Sequence, residues 1–191
     1  SDVPMTLTFL SAEDIEGTGQ FSLCDTLQLF PGLECRRGAM RWSTVSTRGL
    51  GFNFISNRLL LLKDGRPETD PWTGMFRADE AYPLTNVKQV EVIRGPGSSL
   101  YGSNAFAGVI NYVTRGPDDL IKEGKQFGTD ARFLVGQNNT FRGQTTVAGK
   151  VGDLKGLVNY YGQTTDGSPQ FTDPVREIVD VRQWSRVHQV S

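Results

Sequence analysis

The sequence predicts an α+β fold in its first part and a series of antiparallel strands in its second. In the first part, two short stretches with helix-capping signals precede two apolar strands, at 87–93 and 109–113, which flank a glycine-rich break. From residue 129 onward, apolar and polar residues alternate with the period of a strand. The 191 residues are enough for one ordinary domain and part of another.

Composition excludes several classes of function. The formal net charge of −1, with both signs interspersed, gives no sign of a nucleic-acid-binding surface. His188 is the single histidine, which removes most metal sites and catalytic triads built on histidine. We expect no metal site and no cofactor. The longest fully apolar run, 59–62, is far too short for a membrane-spanning helix. Since no signal peptide precedes Ser1, we expect either its removal on export or a start inside a longer chain.

The two cysteines, Cys24 and Cys35, lie eleven positions apart. This spacing is too long for a CxxC redox pair, and two thiols without a nearby histidine make a poor zinc site. A disulfide formed in an oxidising compartment and a pair of small buried side chains both remain open, because the sequence does not show how closely the Cα atoms approach.

The first part is predicted to begin with a strand at 3–10 and two short helices. Ser11 and Ser22 each precede an aspartate by three residues, which is the pattern of an N-terminal helix cap. Gly17 is predicted to end the first helix, and the pair at 31–32, Pro-Gly, the second. Further strands are expected from residue 33 and at 58–63, the latter closed by an Asp-Gly turn.

The stretch 86–114 carries the most specific motif in the chain. Its motif residues are, in order, Glu91-Val92-Ile93-Arg94-Gly95-Pro96, Ser99-Leu100-Tyr101-Gly102, Gly108-Val109-Ile110-Asn111 and Thr114. In this order and spacing they resemble the plug domain of TonB-dependent outer-membrane receptors. The segment 45–49, Val-Ser-Thr-Arg-Gly, is similar to the Arg-Gly motif of the same family. Ala107 departs from the pattern, since members often carry glycine there.

The resemblance implies a plug domain at 1–116, with a small mixed sheet and short helices, and a linker at 117–128. It also implies that 129–191 holds the first antiparallel strands of a truncated transmembrane β-barrel. By itself, the alternation after residue 129 favours a soluble meander, and only together with the plug motifs does it favour a barrel wall. A plugged barrel of about 22 strands needs more than about 200 residues of strand, so we expect the chain to be a fragment.

By the same resemblance, the function is active uptake of a scarce nutrient, such as a ferric siderophore, cobalamin or haem, at the bacterial outer membrane. The plug gates the barrel pore, and the TonB complex of the inner membrane acts on the plug. In the family, the segment that contacts TonB lies upstream of the first plug strand, and it is not expected in this chain.

The loops before the Arg-Gly motif and at 68–76 are expected to face the ligand at the plug apex. The second loop offers apolar area together with hydroxyl and backbone groups, although its aromatic side chains could instead pack beneath it as a small core. The residues expected to bind the ligand are Arg37, Arg41, Trp42, Phe52, Asn53, Trp72, Thr73 and Phe76.

Arg48 and Arg94 each end a predicted plug strand, directly before a glycine. Because an unpaired buried charge is costly, each would need a carboxylate partner. In the family, arginines at these positions pair with glutamates of the inner barrel wall, and we refer to this pairing as the charge lock. Glu91 is a candidate partner within the plug. The alternative is that both arginines are solvated strand ends.

The sequence leaves two other classes of function to weigh against a receptor. One is a soluble β-rich module that binds a ligand or partner and has no pore. The other is an enzyme, because the segment 95–99 follows a strand as a phosphate-binding loop would. That segment lacks the Gly-Lys-Ser/Thr ending of such loops and is not a Gly-x-Ser-x-Gly elbow, so we do not expect an enzyme.

Overall fold

A computed structural model describes residues 6–20, 22–37, 43–47, 58–70, 72–73, 75–76, 78, 84–95, 97–102, 104–137, 139–165 and 185–190. The chain divides into two compact units, Ser1–Thr114 and Arg115–Ser191. The first domain was expected to end at 116, whereas the first unit ends at Thr114. Each unit is described by itself.

The first unit contains seven strands and three short helices in its described part. In chain order they are β1 (Thr6–Ser11), α1 (Ala12–Thr18), α2 (Leu23–Leu27), β2 (Leu33–Arg37), β3 (Ser43–Thr47), β4 (Leu59–Lys63), β5 (Arg66–Pro67), β6 (Val87–Arg94), α3 (Ser98–Tyr101) and β7 (Gly108–Thr114). A short 3-10 helix, Leu84–Asn86, precedes β6.

Five of these strands form one mixed sheet in the order β1-β6-β7-β4-β5. The β4 strand runs parallel to β7, and the other neighbours are antiparallel. The β2 and β3 strands form a separate antiparallel pair. This arrangement confirms the predicted α+β fold with a small mixed sheet.

The two helix starts follow the predicted capping pattern. The Ser11 hydroxyl accepts a hydrogen bond from the Asp14 N–H at 3.2 Å, and the Asp14 carboxylate accepts one from the Ser11 N–H at 2.9 Å. The hydrogen bonds from the Ser11 side chain and backbone lower the pKa of Asp14. The α1 helix ends at Gly19, where φ is +69°, and not at Gly17, because Gly19 adopts the left-handed conformation that terminates a helix.

The main core lies between one face of the mixed sheet and the helices with the β2–β3 pair. Its members include Ile15, Leu23, Leu27, Phe30, Leu61, Val90, Val92 and Ile110. A smaller cluster on the other side of the sheet contains Leu60, Leu62, Ala105 and Val109. The β4 strand contributes to both clusters, which explains why all four residues of its apolar run are buried.

Cys24 and Cys35 form a disulfide that joins α2 to β2, with their Cα atoms 5.4 Å apart. Both side chains belong to the main core. The structure therefore decides between the two alternatives that the sequence left open, since burial and the disulfide occur together.

The second unit is an antiparallel meander with one short helix. Its elements are α4 (Pro117–Leu120), β8 (Phe127–Gly136), β9 (Thr140–Val151), β10 (Leu154–Thr165) and β11 (Ser185–Val190). The segment 117–128 was expected to be a polar linker, but it includes α4 and the first two residues of β8, and α4 packs on β8, β9 and β10. Within the described ranges, no helix is long and apolar enough to cross a membrane.

In this sheet the apolar face is exposed and the polar face is buried, which is the reverse of a sheet in water. The exposed face carries Phe127, Phe133, Val135, Phe141, Val147, Val158 and Tyr160, whereas the buried side chains on the other face include Thr146, Asn159, Tyr161 and Gln163. The buried polar groups hydrogen-bond in pairs, such as the Thr146 hydroxyl to Asn159 Oδ1 at 2.8 Å. A sheet in water presents its polar face to solvent, so this pattern is typical of strands with lipid on one side and a polar interior on the other.

Replacing both Cys24 and Cys35 by serine should lower the free energy of unfolding of the first unit by about 2–3 kcal/mol, because the disulfide closes a short loop in the unfolded chain. Calorimetry of the purified protein, with and without dithiothreitol, measures this. The double variant also serves as the control for the reductant, because dithiothreitol should not shift its melting temperature. An equal melting temperature for the reduced and oxidised wild type would contradict the expectation.

Candidate functional site

The described residues include four of the eight predicted apex residues: Arg37, Trp72, Thr73 and Phe76. Of Arg37, which ends β2, only the backbone is described. The other four predicted apex residues lie outside the described residues: Arg41, Trp42, Phe52 and Asn53.

Asp70 organises the loop that carries Trp72 and Thr73. Its Oδ1 accepts hydrogen bonds from the Trp72 N–H at 2.9 Å, the Thr73 N–H at 2.8 Å and the Thr73 hydroxyl at 3.0 Å. The Asp70 N–H in turn donates to the Met75 carbonyl at 2.7 Å. These bonds, chiefly the one from the Thr73 N–H, lower the pKa of Asp70, so the ionised carboxylate holds the turn.

The two aromatic residues of this loop have opposite environments. Trp72 is 94% exposed, whereas Phe76 is 3% exposed and belongs to the main core. The expectation that Phe76 faces a ligand is therefore wrong, and the alternative of packing beneath the loop holds for that residue. The hydrogen bond to Asp70 holds the backbone of Trp72 in the turn, and the indole lies in solvent.

Arg94 joins three segments of the first unit. It ends β6, and its partly buried guanidinium donates from Nη1 to the Pro31 carbonyl at 2.8 Å and from Nη2 to the Thr8 hydroxyl at 2.8 Å. Its buried Nε has no hydrogen-bond partner among the described residues. Arg94 is thus more than a solvated strand end.

Glu91 does not pair with Arg94, contrary to the suggestion from the sequence. Its carboxylate accepts hydrogen bonds from Gln89 Nε2 at 2.5 Å and from Asn111 Nδ2 at 2.9 Å. Residues three apart on a strand point to opposite faces of the sheet, which places Glu91 and Arg94 on opposite sides. Arg48, the other arginine of the predicted charge lock, lies outside the described residues.

Two carboxylates that the sequence analysis did not single out bind the residues at the junction of the two units. Asp64, in the turn after β4, accepts both the N–H and the hydroxyl of Thr114. Asp130, on β8, accepts hydrogen bonds from Arg115 and Arg132. The Asp-Gly turn signal predicted the position of Asp64, but no local pattern indicates a partner fifty residues away. Among the described residues, no group of three or more His, Cys, Asp or Glu side chains could hold a metal ion.

Residues 1–109 match the family of TonB-dependent receptor plug domains. The chain belongs to this family. Over 170 residues it is 31% identical to the iron-regulated outer membrane virulence protein of Vibrio cholerae, which covers 86% of this chain and 25% of the relative. It is 33% identical over 186 residues to the hemin receptor of Yersinia enterocolitica, covering 95% of this chain and 24% of that protein. The vitamin B12 transporter BtuB of Vibrio vulnificus is 39% identical over 114 residues, or 60% of this chain and 18% of the transporter.

Among solved structures, the chain is similar to the ferric yersiniabactin uptake receptor FyuA from Yersinia pestis. The TM-score is 0.66 at 27% identity, and the match covers 85% of this chain and 24% of the receptor. The chain therefore spans about a fifth to a quarter of the length of these relatives. Since plug-domain proteins of this family are receptors and transporters of the bacterial outer membrane, the chain belongs to that membrane and not to an enzyme family.

Replacing Asp70 by alanine should loosen the loop at neutral pH, because three hydrogen bonds to one carboxylate oxygen are lost. Time-resolved fluorescence anisotropy of Trp72, with Trp42 and Trp184 replaced by phenylalanine, measures the loop motion. In the parent, the folded pKa of Asp70 is depressed, so the carboxylate stabilises the loop above the unfolded value of about 3.9 and loses that effect as pH falls through the folded value. Equal anisotropy for the alanine variant and its parent at pH 7 would refute the role of Asp70.

Replacing Arg94 by alanine should lower the free energy of unfolding of the first unit by about 1.5–3 kcal/mol, since hydrogen bonds from a charged group to Pro31 and Thr8 are lost. Denaturant unfolding of the purified protein measures the change. Arg94→Lys is the matched control: it keeps the charge but cannot present two fixed donors, so we expect an intermediate loss. Lysine and alanine variants as stable as the wild type would exclude this anchoring role.

Proposed function

We propose that the chain comprises the plug and the first barrel strands of a TonB-dependent receptor that takes up a scarce nutrient, with the plug gating the pore. The observation that supports the proposal is the match of residues 1–109 to the plug family. Later in the chain follows a sheet whose apolar face is exposed and whose polar face is buried. The plug corresponds to the first unit, which ends at Thr114, and the barrel strands to β8–β11.

The ligand we infer is a metal chelate, with a ferric siderophore ahead of haem and cobalamin. The relatives are an iron-regulated outer membrane virulence protein, a hemin receptor and a vitamin B12 transporter, and a similar solved structure is that of a ferric yersiniabactin uptake receptor. The apex residues proposed to meet it are Arg37, Arg41, Trp42, Phe52, Asn53, Trp72 and Thr73. Arginine suits the oxyanions of a chelate, and an exposed indole offers a flat face for stacking.

Trp72 is the proposed ligand contact for which the geometry gives the most support. Its indole is 94% exposed, yet its backbone is fixed by Asp70 through hydrogen bonds of 2.8–3.0 Å to this residue and Thr73. Because the backbone of the turn is already fixed, binding a ligand to the indole would order only the side-chain torsions of Trp72. Of the two aromatic residues of the loop, Trp72 alone faces solvent, because Phe76 is buried.

We further propose the charge lock between the arginines of the plug and glutamates of the inner barrel wall beyond this chain. The buried Nε of Arg94, with no partner among the described residues, supports it. The guanidinium has five donors, of which two are used by Pro31 and Thr8. Arg48 is proposed as the second member. The partner that drives transport is the TonB complex of the inner membrane, acting on the plug.

The proposed function predicts energy-dependent uptake by the full-length protein. A strain that lacks its own receptors, with and without a working TonB complex, would be supplied with a panel of ⁵⁵Fe-labelled ferric siderophores, hemin and cyanocobalamin. We expect TonB-dependent uptake of one class of chelate. Folded protein in the outer membrane that admits no member of the panel, or does so equally without TonB, would contradict the proposal.

Replacing Trp72 by alanine should raise the Kd of the transported chelate roughly tenfold, because an aromatic side chain in contact with a ligand contributes on the order of 1–2 kcal/mol to binding. Binding to the purified receptor, followed by intrinsic fluorescence or calorimetry, measures it. The matched control is Leu7→Ala, which removes an apolar side chain that is also largely exposed but lies on β1. If both variants bind as the wild type does, Trp72 is not a ligand contact.

A further inference from the structure

Cys24 connects two segments of the first unit that lead to proposed ligand contacts. Its N–H donates to the Ala78 carbonyl at 2.8 Å, and its sulfur is bonded to that of Cys35 in β2. All three residues belong to the main core, where Cys24 and Ala78 are fully buried. The start of α2 is therefore attached at a single residue both to the chain around Ala78 and to β2.

The segment before Ala78 carries Trp72, the exposed side chain proposed to meet the ligand. Its loop is closed by the hydrogen bond from the Asp70 N–H to the Met75 carbonyl, and Asp70 Oδ1 accepts a hydrogen bond from the Trp72 N–H. Phe76 then enters the main core, two residues before Ala78. The turn that carries Trp72 is thus attached to α2 through Ala78.

The β2–β3 pair forms a sheet of its own, so contacts other than the ladder of the mixed sheet determine its position. Two hydrogen bonds hold the turn at which β2 begins. The Leu33 N–H donates to the Phe30 carbonyl at 3.1 Å, and Arg94 donates to the Pro31 carbonyl at 2.8 Å. These bonds fix the start of β2, whereas the proposed ligand contact Arg37 stands at its other end.

Cys35 holds the half of β2 that leads to Arg37. Besides the disulfide, its carbonyl accepts a hydrogen bond from Gln28 Nε2 at 3.1 Å. The packing of Val45, opposite Cys35, keeps the pair on the core in any case, so the disulfide adds a fixed position along it.

The length of β2 makes this fixed position important. At about 3.3 Å per residue, Arg37 lies roughly 13 Å along the strand from Leu33, so a pivot of about 10° at the start of β2 would move it by about 2 Å. The groups of a binding site must be held to within about 0.5 Å of their working geometry. A pivot that packing tolerates would therefore be too large for a shared ligand.

We propose that Cys24 and Cys35 are positioning residues, whose disulfide holds Arg37 and Trp72 at the spacing that lets one ligand contact both. This inference rests on the proposed function. Because the Trp72 turn and β2 share Cys24 as a point of attachment, the disulfide prevents β2 from pivoting away from that turn. A chelate then meets two groups that are already in place, and less conformational entropy is lost on binding.

The test is the distance between β2 and the Trp72 turn in the purified full-length receptor, measured by pulsed electron paramagnetic resonance. Nitroxide labels replace the exposed residues Arg36 and Trp72 as a non-canonical amino acid, which leaves both cysteines intact. Replacing Cys24 and Cys35 by alanine should broaden the distribution of distances by about 2 Å, the displacement expected from the pivot. The matched control is a label pair at Trp72 and the exposed Lys88 of β6, whose distribution should not change.

Equal widths with and without the disulfide would overturn the proposal. Equal broadening of both label pairs would also overturn it, because the disulfide would then only stabilise the unit as a whole.

A second readout is binding to the unlabelled receptor. The alanine double variant should raise the Kd of the transported chelate about two- to tenfold, the factor that corresponds to one more side chain ordered on binding. The rise should be smaller when Trp72 is already alanine, and equal rises in both backgrounds would overturn the coupling of the two contacts. If the wild type binds no chelate, the proposed function fails, whereas the distance comparison needs no ligand and still decides whether the disulfide sets the spacing.

Discussion

The pairing of β6 with β7 is the constraint on which the first unit depends. These two strands occupy the middle of the mixed sheet, with β1 on one side and β4 on the other. Gly108 begins β7 where a Cβ would stand 2.6 Å from the Ile93 carbonyl oxygen, so the close approach of the two strands requires a glycine there. Alternation along β6 then sends Val90 and Val92 into the main core and Ile93 toward the smaller cluster.

The two units obey opposite rules of burial, and this contrast indicates their separate environments. In the first unit, the main core is built of apolar side chains, and the helices and the disulfide cover one face of the sheet. In the second unit, phenylalanine and valine side chains are exposed, whereas Thr146 and Asn159 are buried and hydrogen-bonded to each other. An exposed apolar face over a buried polar one is typical of strands in a membrane, whereas an apolar interior is typical of a domain in water.

The candidate site was less predictable than the fold, because side-chain direction depends on partners distant in sequence. The loop at 68–76 was recognised from its composition, yet the composition could not separate Trp72, in solvent, from Phe76, in the core. Arg94 was recognised from its motif, but its contacts with Thr8 and Pro31 join residues 86 and 63 positions apart. Glu91 is close to Arg94 in sequence and has the charge that a partner needs. The alternation of side chains along β6 nevertheless places the two residues on opposite faces of the sheet.

By itself, the sequence determined the family, the order of the elements and the alternation of the later strands, since these rest on local patterns of glycine, capping residues and hydrophobic period. Only the tertiary structure decided the disulfide, the burial of Phe76 and the attachment of segment 115–128 to the second sheet. Each of these depends on which distant backbone segments approach one another. The sequence indicates such contacts only indirectly, because the composition of the polar segment 115–128 is equally compatible with a free linker and with a segment held by Asp130.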